Sequence, residues 1–178
     1  MEEWYVIFTK TGEEEKLGKI LEIFFCKKEL KVLIPRRKII ERKEKQKTEK
    51  IKLLFPGYVF IKTKMCNEVY HRINNIYKFA KLLKEELEPA VVREDEMRII
   101  LSLTGNSDLI GFSKGIDVGG RIKIIDGPLK GYEGLIEKID RRKNRAKIRL
   151  NIIGDCKLID VGIHIIDTDD NKILNDAS

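Results

Sequence analysis

Seven of the twelve residues from Lys138 to Arg149 are basic, and Asp140 is the single acid among them. Such a density of ammonium and guanidinium groups suits the capture of a polyanion. Lysine acts there as a point charge, and arginine as a fork that grips phosphates or guanine edges. The spacing refines this. Ala146, Ile148 and Leu150 alternate with Lys147, Arg149 and Asn151, so one face of a strand is apolar and the other largely cationic. Arg141, Arg142, Lys143 and Arg145 crowd the preceding turn. Leu135–Ile139 supplies the outgoing strand, after the turn Asp126-Gly127-Pro128 and the glycines Gly131 and Gly134. The pattern is a β-hairpin that buries one side and offers the other to an anion. It carries +6, while the remainder of residues 119–178 carries −4. The overall charge of +7 therefore conceals a polarised segment, and local polarity governs steering of anions.

Other chemistries lack their residues. The two histidines, His71 and His164, are far apart, and His71 beside Arg72 reads as a surface residue. Gly127–Gly134 does not end in the Gly-Lys-Ser/Thr of a phosphate-binding loop. The acidic residues form no catalytic pair. Cys26, Cys66 and Cys156 are odd in number and scattered, which suggests neither a disulfide framework nor a zinc site and fits a reducing cytoplasm. A cytoplasmic binding protein is expected, monomeric, with no enzyme activity, no cofactor and no metal. No apolar run approaches the roughly 20 residues of a membrane span, so no membrane partner is expected.

The elements that must position the hairpin follow from periodicity. Trp4–Phe8 is a short aromatic-rich run and reads as a buried strand. Thr11 and Glu14 have the spacing of a capping box, ahead of a helix with Leu17, Ile20, Leu21, Phe24 and Phe25 on one face. Lys31–Ile34 returns as a strand stopped by Pro35. The charged segment 36–50 contains a strand start at Ile39-Ile40, and alternation resumes at Ile51, Leu53 and Phe55. Phe55-Pro56-Gly57-Tyr58 turns into the strand Val59–Lys62. A second helix follows Asn67, then a strand near Phe79–Leu83. A third helix begins at Glu94, its first turn rich in acids that suit the helix dipole. The order β-α-β-β-β-α-β-α predicts an α+β N-terminal domain over 1–104, an antiparallel sheet flanked by helices. Gly- and polar-rich residues 105–118 read as a linker. Five short strands over 119–167 predict a small β-barrel, near Arg121–Ile125, Leu135–Ile139, Ala146–Asn151, Lys157–Val161 and His164–Ile166. Residues 168–178 read as a flexible tail.

Two blocks carry a family resemblance. WYVIFTKTGEEEKL at the start and LLFPGYVF at Leu53–Phe60 resemble the N-terminal domain of NusG transcription factors. GGRIKIIDGPLKGYEGLIEKIDRRKNRAKI, Gly119–Ile148, is similar to the KOW domain of that family, an SH3-like barrel. Two departures, the short linker and the unusually basic hairpin, resemble the specialised LoaP-type paralogs. The resemblance implies a bacterial factor that binds RNA polymerase and promotes processive antitermination of specific operons. The alternative it leaves open is a housekeeping elongation factor whose KOW domain recruits Rho or the ribosome.

The same resemblance implies site residues. The family's apolar patch for the clamp of the largest polymerase subunit falls on Phe8, Phe55, Tyr58, Phe60 and Phe79. These residues are either interface anchors or core, with Phe55 and Tyr58 favoured as anchors by their place on a turn. Lys10 is either a solvated lysine or a contact to DNA of the transcription bubble, which related paralogs meet with their first helix. Arg42–Lys50 is either a solvated hairpin tip or an element that approaches polymerase or upstream DNA. Arg141, Arg142, Lys143, Arg145, Lys147 and Arg149 are either a solvated basic face or the RNA-binding set, with a structured leader of the nascent RNA as ligand; the charge contrast with the rest of the domain favours RNA. Ile153 stands where housekeeping members carry the aromatic residue that meets the ribosomal protein or Rho.

Overall fold

The computed structural model describes residues 1–43, 46–76 and 80–166. In chain order the elements are β1 (Glu3–Phe8), α1 (Glu14–Phe24), β2 (Leu30–Leu33), β3 (Arg36–Lys43), β4 (Gln46–Leu53) and β5 (Tyr58–Thr63). Then come α2 (Asn67–Ile76) and four two-residue strands: β6 (Lys81–Leu82), β7 (Lys84–Glu85), β8 (Glu88–Pro89) and β9 (Val91–Val92). After α3 (Glu94–Thr104) follow β10 (Leu109–Ile110), β11 (Ser113–Val118), β12 (Arg121–Asp126), β13 (Ile136–Asp140), β14 (Arg145–Ile152) and β15 (Asp155–Ile166). The chain divides into two compact units. Unit 1 is Met1–Pro35, Leu53–Ile100 and Ile152–Asp155; unit 2 is Arg36–Lys52, Leu101–Asn151 and the chain from Cys156 on.

Unit 1 is built on a sheet of order β2-β5-β1-β6, with β9 also pairing β1. β1 and β5 are antiparallel, in register from Glu3↔Thr63 to Phe8↔Tyr58. Tyr5, Val6 and Ile7 are buried on both faces of β1, which is why that run is continuously apolar. The helical spacing of α1 turns Leu17 and Leu21 into the core, and α2 adds Ile73. Tyr5 is pushed up to about 12 by burial, with Glu3 adding to the shift, so its hydroxyl stays a donor to Glu3 Oε2 at 3.1 Å. The Thr11–Glu14 capping box is not what starts α1. Its N-cap is Glu13, without a side-chain cap bond. Glu14 is buried and spends its carboxylate elsewhere, as described below.

Unit 2 holds a sheet of order β10-β3-β4 and a five-stranded sheet of order β12-β11-β15-β14-β13. β10 lies parallel to β3, Leu109 opposite Arg36 and Ile110 opposite Arg37. The five-stranded sheet differs from expectation at two places. The anticipated strands 157–161 and 164–166 are one strand of twelve residues, β15. The fifth strand is β11, supplied by the segment expected as a linker, and it pairs in parallel with β15 from Ser113↔Ile163 onward. Gly162 lies within β15, although glycine usually weakens a strand. Here a Cβ would lie 2.2 Å from the Phe112 ring and 2.8 Å from the Lys38 carbonyl, so the residue is small to admit β3 and Phe112.

Three arginines tie β3 and its neighbours into unit 2. The Arg36 amide donates to the Asp108 carbonyl at 2.8 Å. An Arg37 guanidinium nitrogen donates to the Asp160 carbonyl, and Arg145 donates to the Ile40 carbonyl at 3.1 Å. Burial pulls the Arg37 pKa down, Asp160 opposes that, and Arg145 adds to it. Asp108 is pushed up by burial, with Arg36 opposing.

Candidate functional site

The turn Phe55–Tyr58 presents an aromatic ledge. Gly57 has φ +86, and a Cβ there would come within 3.0 Å of the Phe8 ring and 3.2 Å of the Thr9 carbonyl. Glycine is therefore required both by conformation and by close approach. The Thr9 amide donates to the Gly57 carbonyl at 2.8 Å, and the Tyr58 amide to the Phe55 carbonyl at 3.1 Å. From the other side the buried Glu14 accepts the Gly57 amide at 2.6 Å and the Gly12 amide at 2.7 Å. One carboxylate thus fixes the turn to the start of α1. This role of Glu14 had no signature in the sequence, since its partner lies 43 residues away.

The five aromatic candidates separate on this scaffold. Phe8 is 46 % exposed and Tyr58 is half-buried, their rings edge to face at 6.0 Å. Phe55 at 4 % and Phe60 at 0 % exposure are buried, and their rings meet at 5.6 Å. Both therefore face inward and support the ledge from beneath, whereas the turn position had suggested a surface role for Phe55. Phe79 lies outside the described residues. Lys10 is exposed just before α1, and its carbonyl accepts the Glu13 amide.

The basic hairpin has the expected geometry. β14 alternates buried Ala146, Ile148, Leu150 and Ile152 with exposed Lys147, Arg149 and Asn151. Its tip is pinned by Asp140, which accepts the Lys143 amide at 2.9 Å, and by the Asn144 carbonyl, which accepts the Ile163 amide at 3.1 Å. The cations are not equivalent, however. Arg149 pairs with Glu137 at 2.6 Å, Arg145 with Asp160 at 3.5 Å and Lys143 with Asp140 at 3.9 Å. Arg141 pairs with Asp117 and donates to the Gly120 carbonyl. The Arg145 side chain is only 22 % exposed, so this residue serves packing as well as charge. Among the described residues no carboxylate pairs with Lys138, Arg142 or Lys147. The register sets Lys138 directly opposite Lys147, both exposed. Like charges facing across a ladder repel, and a bound anion relieves that repulsion. Lys138 joins the six cations named from the sequence, because the bulge between Ile136 and Lys138 brings it onto the cationic face.

Ile153 adopts φ 49, unusual for a β-branched residue. Its amide donates to Glu96 Oε2 at 3.1 Å, and Glu96 is itself buried in the first turn of α3. The Ile152–Asp155 loop thus belongs to unit 1 rather than to the sheet it connects. Among the described residues no group of His, Cys, Asp or Glu could hold a metal, and no helix is long and apolar enough to cross a membrane.

A family model described as transcription termination factor nusG matches residues 2–101. The chain belongs to the NusG family. A KOW motif matches residues 118–149, which contain β12, β13 and most of β14. The chain is 26% identical over 176 residues to the transcription termination/antitermination protein NusG of Rickettsia typhi, covering 96% of this chain and 92% of that protein. It is 27% identical over 169 residues to NusG of Thermus thermophilus, covering 85% and 90%. A solved structure of Thermotoga maritima NusG, described for its domain interaction, is similar with TM-score 0.58 and 26% identity, covering 91% of this chain and 94% of that one. The fold is NusG-like, an N-terminal sheet with helices followed by a β-rich KOW domain, and the chain is a NusG-family transcription factor.

Proposed function

We propose that this NusG-family factor docks on the clamp of RNA polymerase through Phe8 and Tyr58, and holds nascent RNA on the exposed face of the β13–β14 hairpin, promoting processive antitermination at particular operons. The observation that carries the reading is the facing pair Lys138 and Lys147, exposed and without carboxylate partners among the described residues. A strand pair in a folded domain gains nothing from that juxtaposition on its own. It gains where a phosphate chain runs over it. Phe8 and Tyr58 supply what a protein interface uses best, rigid aromatic surface on a fixed turn. Phe55 and Phe60 are assigned to the support of that ledge. Arg142, with Lys138 and Lys147, carries the RNA contact, and Arg141, Lys143 and Arg149 add charge that is partly neutralised within the fold. Lys10 lies beside the same turn and is assigned to bubble DNA.

The LoaP-type specialisation rests on the basic hairpin and on Ile153, which lacks the ring used by housekeeping members toward a ribosomal protein or Rho. The test is a reconstituted transcription assay with and without a structured leader upstream of a terminator. Wild-type factor should raise read-through only with the leader, and Arg142→Glu with Lys147→Glu should remove the effect while polymerase co-purification persists. Read-through that ignores both the leader and these reversals would refute the RNA assignment.

A further inference from the structure

A cavity of about 500 Å3 in unit 2 is lined by Ile40 and Arg42 of β3 and by Arg142, Lys143 and Arg145 of the hairpin tip and β14. We infer that this cleft holds one nucleotide of an RNA chain, a backbone phosphate gripped by Arg42 and the hairpin tip and a base laid against the Ile40 floor. This rests on the RNA reading above and adds a residue and a site to it. Arg42 comes from a strand more than ninety residues upstream of the hairpin, and nothing in the KOW segment alone would place it there.

Charge comes first. Four cations converge on one cleft, and its lining contains no carboxylate. Arg42 and Arg142 have no ion pair among the described residues, Lys143 keeps only a distant one, at 3.9 Å from Asp140, and Arg145 is the one of the four paired more closely, with Asp160 at 3.5 Å. Like charges gathered in this way repel unless an anion joins them, and guanidinium forks are the groups that grip phosphate oxygens two at a time. Preorganisation comes second. Arg145 bonds the Ile40 carbonyl at 3.1 Å, so the wall from β3 and the wall from β14 are joined. The tip is pinned at Lys143 and Asn144, as described above. A site whose walls are already fixed loses little freedom on binding. Size and polarity come third. The volume lies within the roughly 300–1,000 Å3 of small-ligand sites, much more than a lone ion needs. A buried isoleucine flanked by guanidinium planes suits an unstacked base, since arginine stacks on bases and RNA is read through bases splayed from single strands and loops. An acidic protein surface would use the charge and leave the apolar floor idle.

The test uses the full chain and a fluorescein-labelled 20-nucleotide RNA stem-loop, with dissociation constants measured by anisotropy across a salt series. Arg42→Gln should weaken binding roughly tenfold. It should also lower the magnitude of the salt slope by about 0.7, the loss of one phosphate contact on a single strand. Arg42→Lys should keep the slope and recover part of the affinity. Lys138→Gln with Lys147→Gln reports on the hairpin face independently. If that double variant loses affinity while Arg42→Gln matches wild type in slope and affinity, the cleft is overturned and the RNA reading stands. If wild-type chain shows no salt-dependent binding, the RNA reading fails and the cleft with it. Polyglutamate that displaces the RNA as well as unlabelled RNA does would overturn the nucleotide assignment in favour of an acidic protein partner. Thermal midpoints for all variants keep loss of binding distinct from loss of fold.

Discussion

The aromatic ledge of unit 1 and the cationic face of unit 2 are made by opposite means. At the ledge, backbone constraint comes first. Gly57, the Thr9 and Tyr58 amides and the buried Glu14 carboxylate fix the turn, and the exposed Phe8 ring and the half-buried Tyr58 ring are mounted on it. On the hairpin, side-chain charge comes first, and the backbone beneath is an antiparallel ladder with one bulge at the edge of a five-stranded sheet. Four of its cations already have carboxylate partners, so its apparent charge exceeds what is free to act. A geometric site fails when one atom is misplaced and is indifferent to salt. An electrostatic one degrades by steps and weakens with ionic strength.

The sharpest way to break the contrast is at Gly57. Gly57→Val combines a left-handed backbone with a clash against Phe8 and the Thr9 carbonyl, and should cost about 3 kcal/mol in urea unfolding. An unchanged unfolding midpoint would mean the turn is not constrained as described. Next in size, Tyr58→Asp or Phe8→Asp should reduce polymerase co-purification by about thirtyfold, the loss of a hot-spot contact, at low and high salt alike, with the circular-dichroism spectrum intact. A defect that vanishes when salt is raised would place this interface in the electrostatic class instead. Third, Lys147→Glu should separate function from stability. It should weaken RNA binding and flatten its salt dependence. It also turns a like-charge cross-strand pair into an opposite one, so thermal stability should rise by about 0.2–1 kcal/mol. Concerted loss of both would show that Lys147 is structural. The smallest effect is expected at Arg149→Gln, where an exposed pair with Glu137 is worth about 0–1 kcal/mol and the free charge on RNA changes little.

Much of this was legible in the chain because it is local. The period-two pattern of β14 matches its burial residue by residue, and the helical spacing of α1 places Leu17 and Leu21 inside. What could not be read depends on partners remote in sequence. The unbroken run of β15 through Gly162 could not be read because the ring of Phe112 and the Lys38 carbonyl that demand its smallness are distant along the chain. Residues 113–118 looked like a linker because their pairing with β15 is parallel and needs residues 163–166. Phe55 looked like an anchor because a turn is usually exposed, yet its ring packs on Phe60. The basic run looked uniformly free because Asp117 and Asp160, which pair with Arg141 and Arg145, lie outside it. Arg42 was visible as a charged residue, but its place in the cleft needed the fold of unit 2.

The discontinuity of unit 2 bears on how the protein is made. Arg37 and Asp160, which join β3 to β15, are 123 residues apart. At roughly 5–20 residues per second of synthesis, β3 waits about 6–25 s for that partner to be made. The strands β1, β2, β5, β6 and β9 of unit 1 are all complete by Val92 and need no such delay. The sheet of unit 1 should therefore form on the ribosome before unit 2 is complete, and Ile39 and Ile40, buried in the finished fold, should be open to chaperones until the last strand emerges.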